Sequence, residues 1–179
     1  MRKLENSELG RPDTSEYTGI EKIPIVVVLD NIRSSHNVGS VFRTSDALLI
    51  EKIWLCGISA TPPDKEIRKT ALGAENSVAW EYFSSTEEAI NRLREDGYTL
   101  IAVEQVEESI SLSDYLPPAE ARLALVFGNE VKGVQQAIVD QCDLAIEIPQ
   151  YGTKHSFNIS VSVGIVLWDL FNKVRSQHE

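Results

Sequence analysis

The chain is poor in the residues that would announce a metal centre or a disulfide framework. Its 179 residues hold two cysteines and three histidines, with no Cys-x-x-Cys pair. Cys56 and Cys142 stand in or beside apolar runs far apart in sequence and read as buried, reduced thiols. No stretch approaches the ~20 apolar residues that span a bilayer. The start, Met1-Arg-Lys-Leu-Glu-Asn-Ser-Glu8, lacks the apolar core of a signal peptide. A soluble, cytoplasmic protein without a membrane partner is expected. The segment Leu29-Asp-Asn-Ile-Arg-Ser-Ser-His36 contains no Gly-x-Gly-x-x-Gly turn, which argues against an ordinary dinucleotide-binding enzyme.

A basic balance is also missing. Lys and Arg number 17 against 27 Asp and Glu, a net charge of −10, which disfavours strong, independent binding to nucleic acid because phosphate neutralisation supplies most non-specific affinity. The deficit is uneven along the chain. From Glu104 to Glu120 the acids Glu104, Glu107, Glu108, Asp114 and Glu120 have no base among them, the pattern of a solvated face turned away from anions. Arg33, His36, Arg43, Lys132, Lys154 and His155 instead fall in or beside three polar loops.

What is present is an ordinary globular composition, 42% apolar and 25% charged, at a length that suits one domain. Ile25–Leu29, Ile53–Cys56 and Leu100–Val103 are continuous apolar runs of the kind that form strands buried on both faces. Leu123–Phe127 and Leu144–Ile148 are further strands. Helical patterns cover Val38 to Leu48, a segment opened by Ser84 and Ser85 with Glu87 and Glu88 three residues on, and Gln135 to Gln141. The alternation predicts an α/β fold, a mostly parallel sheet flanked by helices. Residues 1–22 read as a short helical or irregular arm, 23–174 as the domain and 175–179 as a tail. The last helix, from about Ile159 to Val174, is apolar over more than one face and is expected to bury against the sheet, a partner subunit or both.

Three loops follow strands and lead into helical patterns: Asn31-Ile-Arg-Ser-Ser-His-Asn-Val-Gly-Ser-Val-Phe-Arg43, Val126-Phe-Gly-Asn-Glu-Val-Lys-Gly133 and Ile148-Pro-Gln-Tyr-Gly-Thr-Lys-His-Ser-Phe-Asn158. Carboxyl ends of strands are where open α/β sheets bind ligands. Plain structural roles exist for several of these residues. Asn37 is placed to cap the helix after it, Glu130 suits the first turn of a helix, and Ser156 or Asn158 suits a cap. One cap cannot explain both of the last two.

Together, the three loops resemble the motifs of the SpoU (TrmH-like) RNA ribose methyltransferases of the SPOUT superfamily, over about Ile23 to Phe171. The resemblance implies an enzyme that uses S-adenosyl-L-methionine to methylate a ribose 2′-hydroxyl in tRNA or rRNA, tRNA being favoured. It implies a carboxyl-terminal trefoil knot (the SPOUT, or alpha-beta, knot) and a homodimer paired near that knot. Asn37, Arg43, Glu130, Ser156 and Asn158 would form the catalytic group, and Val103, Gly128, Ile148, Ser156 and Phe157 the cofactor site; no metal is implied. Arg43 reads better as a stabiliser of charge on the ribose oxygen than as a proton acceptor, since a guanidinium has a pKa above about 12; the base stays unassigned. Val131, Lys132 and Phe157 depart from the family pattern, Phe157 standing where leucine is usual. Arg11 could reach a partner's site, and an auxiliary protein could deliver the RNA. The alternative is a non-catalytic RNA- or nucleotide-binding protein on the same fold.

Overall fold

The computed structural model describes residues 1–177; the last two residues of the expected tail lie outside the described residues. The strands are β1 (Ile23–Asp30), β2 (Ile50–Cys56), β3 (Ala79–Phe83), β4 (Thr99–Val103), β5 (Ile110–Ser111), β6 (Leu123–Phe127) and β7 (Leu144–Glu147). The helices are α1 (Thr14–Gly19), α2 (Ser35–Ala47), α3 (Lys65–Ala71), α4 (Thr86–Glu95), α5 (Gln136–Val139) and α6 (Ile159–Ser176). The strands form one sheet in the order β3-β2-β1-β6-β4-β7-β5, and every strand pairing in it is parallel. The expected parallel α/β sheet is therefore present.

The β1 run explains the layers. Ile25, Val27 and Leu29 point to one face and Val26 and Val28 to the other, all at 0 or 1% exposure, because side chains alternate along a strand. The first face packs with Val38, Val41 and Phe42 of α2, Ile67 of α3 and Val163, Leu167 and Leu170 of α6. The second packs with Ala89, Ile90 and Leu93 of α4, Trp54 and Ile138. Each such fully buried aliphatic side chain contributes about 1.5–3 kcal/mol, and double-sided burial is why the strands read as unbroken apolar runs.

The helices α2 and α3 touch backbone to side chain. A Cβ on Gly39 would lie 2.4 Å from the Ile67 carbonyl oxygen and 2.0 Å from Thr70 Oγ1, and Thr70 Oγ1 donates to the His36 carbonyl at 3.0 Å. Asp64 caps α3 by accepting from the Glu66 and Ile67 amides. The arm is docked: Tyr17 of α1 is 5% exposed, its hydroxyl donates to the Asp46 carbonyl at 3.4 Å, and the Lys22 ammonium sits 3.6 Å from the centre of its ring. Arg11 is exposed, just ahead of α1. No helix among the described residues is long and apolar enough to cross a membrane.

Some boundaries differ from the sequence reading. The first helix starts at Ser35 rather than Val38, α5 spans only Gln136–Val139 of the expected 135–141, and α6 runs on to Ser176. Three elements, α3, β3 and β5, had no counterpart in the sequence reading. Lys65-Glu-Ile-Arg-Lys-Thr-Ala71 has too few apolar positions to show a period, β3 is an edge strand whose Trp80 and Tyr82 remain partly exposed, and β5 has two residues.

Candidate functional site

The loops after β1, β6 and β7 meet above the carboxyl edge of the sheet, and Asp30 fixes the first of them. Its carboxylate is 0% exposed. One oxygen accepts from Asn31 Nδ2 at 2.8 Å, Thr86 Oγ1 at 2.5 Å and Gln135 Nε2 at 2.9 Å, and the other accepts from the Gln135 amide at 3.2 Å. The end of β1, the start of α4 and the end of the second loop are thereby joined through one buried charge that is fully hydrogen-bonded.

Asn37 is not the cap of α2. Ser34 is, accepting from the Asn37 amide at 3.2 Å. Asn37 thus lies in the first turn with its amide available: Nδ2 donates to Glu130 Oε1 at 2.8 Å, and Oδ1 accepts from Asn158 Nδ2 at 3.3 Å. Asn158 does cap α6, its Oδ1 accepting from the Ser160 amide at 2.9 Å, and it serves the loop contact with its other atom. One hydrogen-bonded chain, Asn158 to Asn37 to Glu130, therefore ties the three loops together.

Glu130 is not in a helical first turn either. Asn129 Oδ1 accepts from the Val131 and Lys132 amides, making a tight polar turn, and α5 begins only at Gln136. Gly128 is required here, since a Cβ would meet the Gly133 carbonyl carbon at 1.9 Å and the Val134 nitrogen at 2.0 Å. Gly133 has φ +66 and lies against Glu104, whose carboxylate accepts from the Val134 and Gln105 amides, each at 2.9 Å.

Glu130, the end of this hydrogen-bonded chain, lines a cleft of about 270 Å³. Val103, Gly128, Ile148, Ser156 and Phe157, the five residues expected at a cofactor site, all line it, with Phe127 and Ile159 adding apolar wall and Glu104, Glu130 and Glu147 adding carboxylates. Arg43 is elsewhere. Six residues beyond Asn37, about 9 Å along the helix, it is exposed and lines a separate groove with Thr44, Ala47, Leu48, Gly164 and Trp168. Of the five expected catalytic residues, Glu130 and Ser156 line this cleft, Asn37 and Asn158 are tied to it through the hydrogen bonds that end on Glu130, and Arg43 does not join them.

Asp30 belongs to none of the three loop motifs, and the sequence around Glu104 has the pattern of a run of solvated acids. Each is the polar residue that directly ends an apolar strand run, and that position was the available signal. The cysteines take no part: burial pushes the Cys56 thiol up to about 12 and Cys142 to about 11, leaving both protonated and unreactive at neutral pH. No cluster of three or more potential metal ligands occurs among the described residues.

Comparison with known proteins bears on the family and the fold. The model of the SpoU rRNA Methylase family matches residues 24–168. A 23S rRNA (guanosine-2'-O-)-methyltransferase RlmB from Neisseria meningitidis is 31% identical over 144 residues, 80% of this chain and 56% of that protein. The chain spans less than two thirds of the length of the curated relatives it matches first. Among solved structures, the A. aeolicus TrmH/SpoU tRNA modifying enzyme superposes with a TM-score of 0.77 at 25% identity, over 87% of this chain and 77% of that one. An AdoMet-bound rRNA methyltransferase from Sinorhizobium meliloti shares the fold with a TM-score of 0.78 at 24% identity, over 87% of this chain and 59% of that one. With its family model matched across nearly the whole sheet and all three loops, the chain belongs to the SpoU rRNA methylase family.

Proposed function

We propose that the chain transfers a methyl group from S-adenosyl-L-methionine to a ribose 2′-hydroxyl of RNA, tRNA or rRNA, with tRNA favoured by the likeness to the A. aeolicus tRNA modifying enzyme. The observation that carries this reading is the Asn158–Asn37–Glu130 chain closing three loops over an apolar-walled cleft. The cleft suits the cofactor chemically. Val103, Ile148 and Phe157 offer apolar surface to an adenine, the missing side chain of Gly128 lets backbone approach closely, and nearby carboxylates favour a cationic sulfonium. The cofactor, when bound, supplies an electrophilic methyl group. The protein's part is to orient, exclude water and stabilise charge: Asn37 and Asn158 hold the loops in register, Ser156 lines the cleft, and Glu130 fixes Asn37. Arg43 offers a rigid fork of donors for a phosphate and for the developing ribose oxyanion.

Arg43 reaches such a ribose through a homodimer. Trp168 is 60% exposed and Val161 46%, on an α6 face that continues through Gly164 to Ala47 and Leu48 beside Arg43. An apolar patch around a cation suits a second copy, which would cover the tryptophan and carry Arg43 towards the partner's cleft. Trp168→Glu is expected to convert the protein from dimer to monomer in sedimentation velocity and to remove methyl transfer while leaving the isolated fold intact by circular dichroism. A dimeric, active Trp168→Glu protein would refute this interface. For the carboxyl-terminal segment, we read the trefoil knot from family membership and from the return of α6 to pack on α2.

The direct test is methyl transfer from labelled S-adenosylmethionine into RNA from cells lacking the gene, with nuclease digestion and mass spectrometry to locate any 2′-O-methyl nucleotide. Label on one ribose is the expected result. Cofactor binding with RNA binding but no transfer would favour a non-catalytic RNA-binding protein.

A further inference from the structure

The short helix α3 is held rigidly beside the first loop and carries more positive charge than its surroundings can neutralise. Its register against α2 is fixed by the Gly39–Ile67 approach and the Thr70 bond to the His36 carbonyl, so its first turn stands next to the residue that precedes Asn37. Lys65, Arg68 and Lys69 are all exposed, and their spacing places them on one helical face. The acids within reach are already engaged. Glu66 pairs with His36 Nε2 at 2.6 Å and Lys69 Nζ at 2.7 Å, and Asp64 is bound to two backbone amides as the cap. Among the described residues Lys65, Arg68 and the exposed Arg33 of the first loop have no acidic partner.

The charge is polarised across the sheet. From Asn31 to Gly73 six Lys and Arg stand against four Asp and Glu, in a chain whose net charge is −10. The opposite edge, around β5, exposes Glu107, Glu108 and Glu120. An anionic polymer approaching Asn37 is repelled from the β5 side and attracted along α3.

We propose that Arg33, Lys65 and Arg68 form a ridge that docks the RNA backbone flanking the target nucleotide. This rests on the reading of the chain as RNA-directed, but it locates the surface that holds the RNA outside the cleft. Three cations without acidic partners, Lys65 and Arg68 on a helix fixed against α2 and Arg33 in the first loop, grip phosphate without sequence preference. They offset the unfavourable net charge locally.

The test is binding of total tRNA from cells lacking the gene, measured at several salt concentrations for the wild-type protein, Lys65→Gln/Arg68→Gln and the charge-preserving Lys65→Arg/Arg68→Lys. The neutralised variant is expected to bind roughly tenfold more weakly at low salt and to show a slope of log affinity against log salt smaller by about 2. Its S-adenosylmethionine affinity should be unchanged and the charge-preserving variant should keep the wild-type slope. An unchanged affinity and slope in the neutralised variant would overturn the ridge, as would a wild-type protein that fails to bind the tRNA. Failure of the enzymatic reading is seen separately, as absence of methyl transfer by a wild-type protein whose RNA binding still depends on Lys65 and Arg68.

Discussion

The Arg43→Ala protein is expected to lose methyl transfer by about a thousandfold, the scale on which removal of a charge-stabilising donor acts, while its affinity for S-adenosylmethionine stays at the wild-type level. The reason is placement. Arg43 is not among the residues lining its own chain's cleft and in the proposed dimer approaches the partner's cleft from the ribose side, so its removal leaves the residues around the cofactor in place, whereas a ribose oxyanion would lose its fork of donors. Arg43→Lys should recover little, because a single ammonium cannot engage phosphate and oxyanion in one plane. Single-turnover rates with saturating RNA, combined with calorimetric cofactor titration, separate the two effects. Equal loss of cofactor affinity and rate would assign Arg43 to the cleft after all, and full activity would remove it from the reaction.

Gly128→Ala is expected to act the other way round, through the cofactor. The new methyl group would lie 1.9 Å from a backbone carbon of Gly133 and 2.0 Å from the Val134 nitrogen, and neither atom can rotate aside as a side chain end would. Gly133 cannot yield easily, since it holds φ +66 with the Glu104 carboxylate behind it. The turn around Asn129 must therefore open, at a cost of about 1–3 kcal/mol. If that cost falls on the bound state, affinity for S-adenosylmethionine drops by between roughly tenfold and a hundredfold, and because the turn is also part of the fold the melting temperature should fall by several degrees, about 2–4 °C per kcal/mol. Unchanged cofactor affinity in a folded Gly128→Ala protein would mean that the cofactor binds elsewhere.

Legibility from sequence followed burial. The β1, β2, β4 and β6 runs were readable because both faces of each strand are covered, which leaves almost no polar residue inside them. The arm and the edge were not. Tyr17 is buried as a single aromatic in a polar stretch, with no period to betray it, and β3 keeps Trp80 and Tyr82 at 36% and 49% exposure. At the site, residue identity was readable and local role was not. Asn37 looked like a cap because it stands near the expected helix start, but Ser34, three residues earlier, takes that position and frees the asparagine for Glu130. The separation of Arg43 from the cleft could not be read from spacing along one helix, since it depends on which neighbours cover each face.

A sheet built wholly of parallel pairs contains no hairpin, so none of its strand contacts is local in sequence, and such topologies fold slowly. Here β1, the first strand, is flanked by β2 and by β6, which is made almost a hundred residues later. The bridge from Asn37 to Asn158 spans 121 residues. During synthesis the first loop therefore emerges long before its partners exist, and Asp30 waits in the same way for Gln135, 105 residues downstream. The cleft itself is lined only by residues between Val103 and Ser162, so it is the bridge to the first loop, and not the cleft wall, that depends on the most distant parts of the chain.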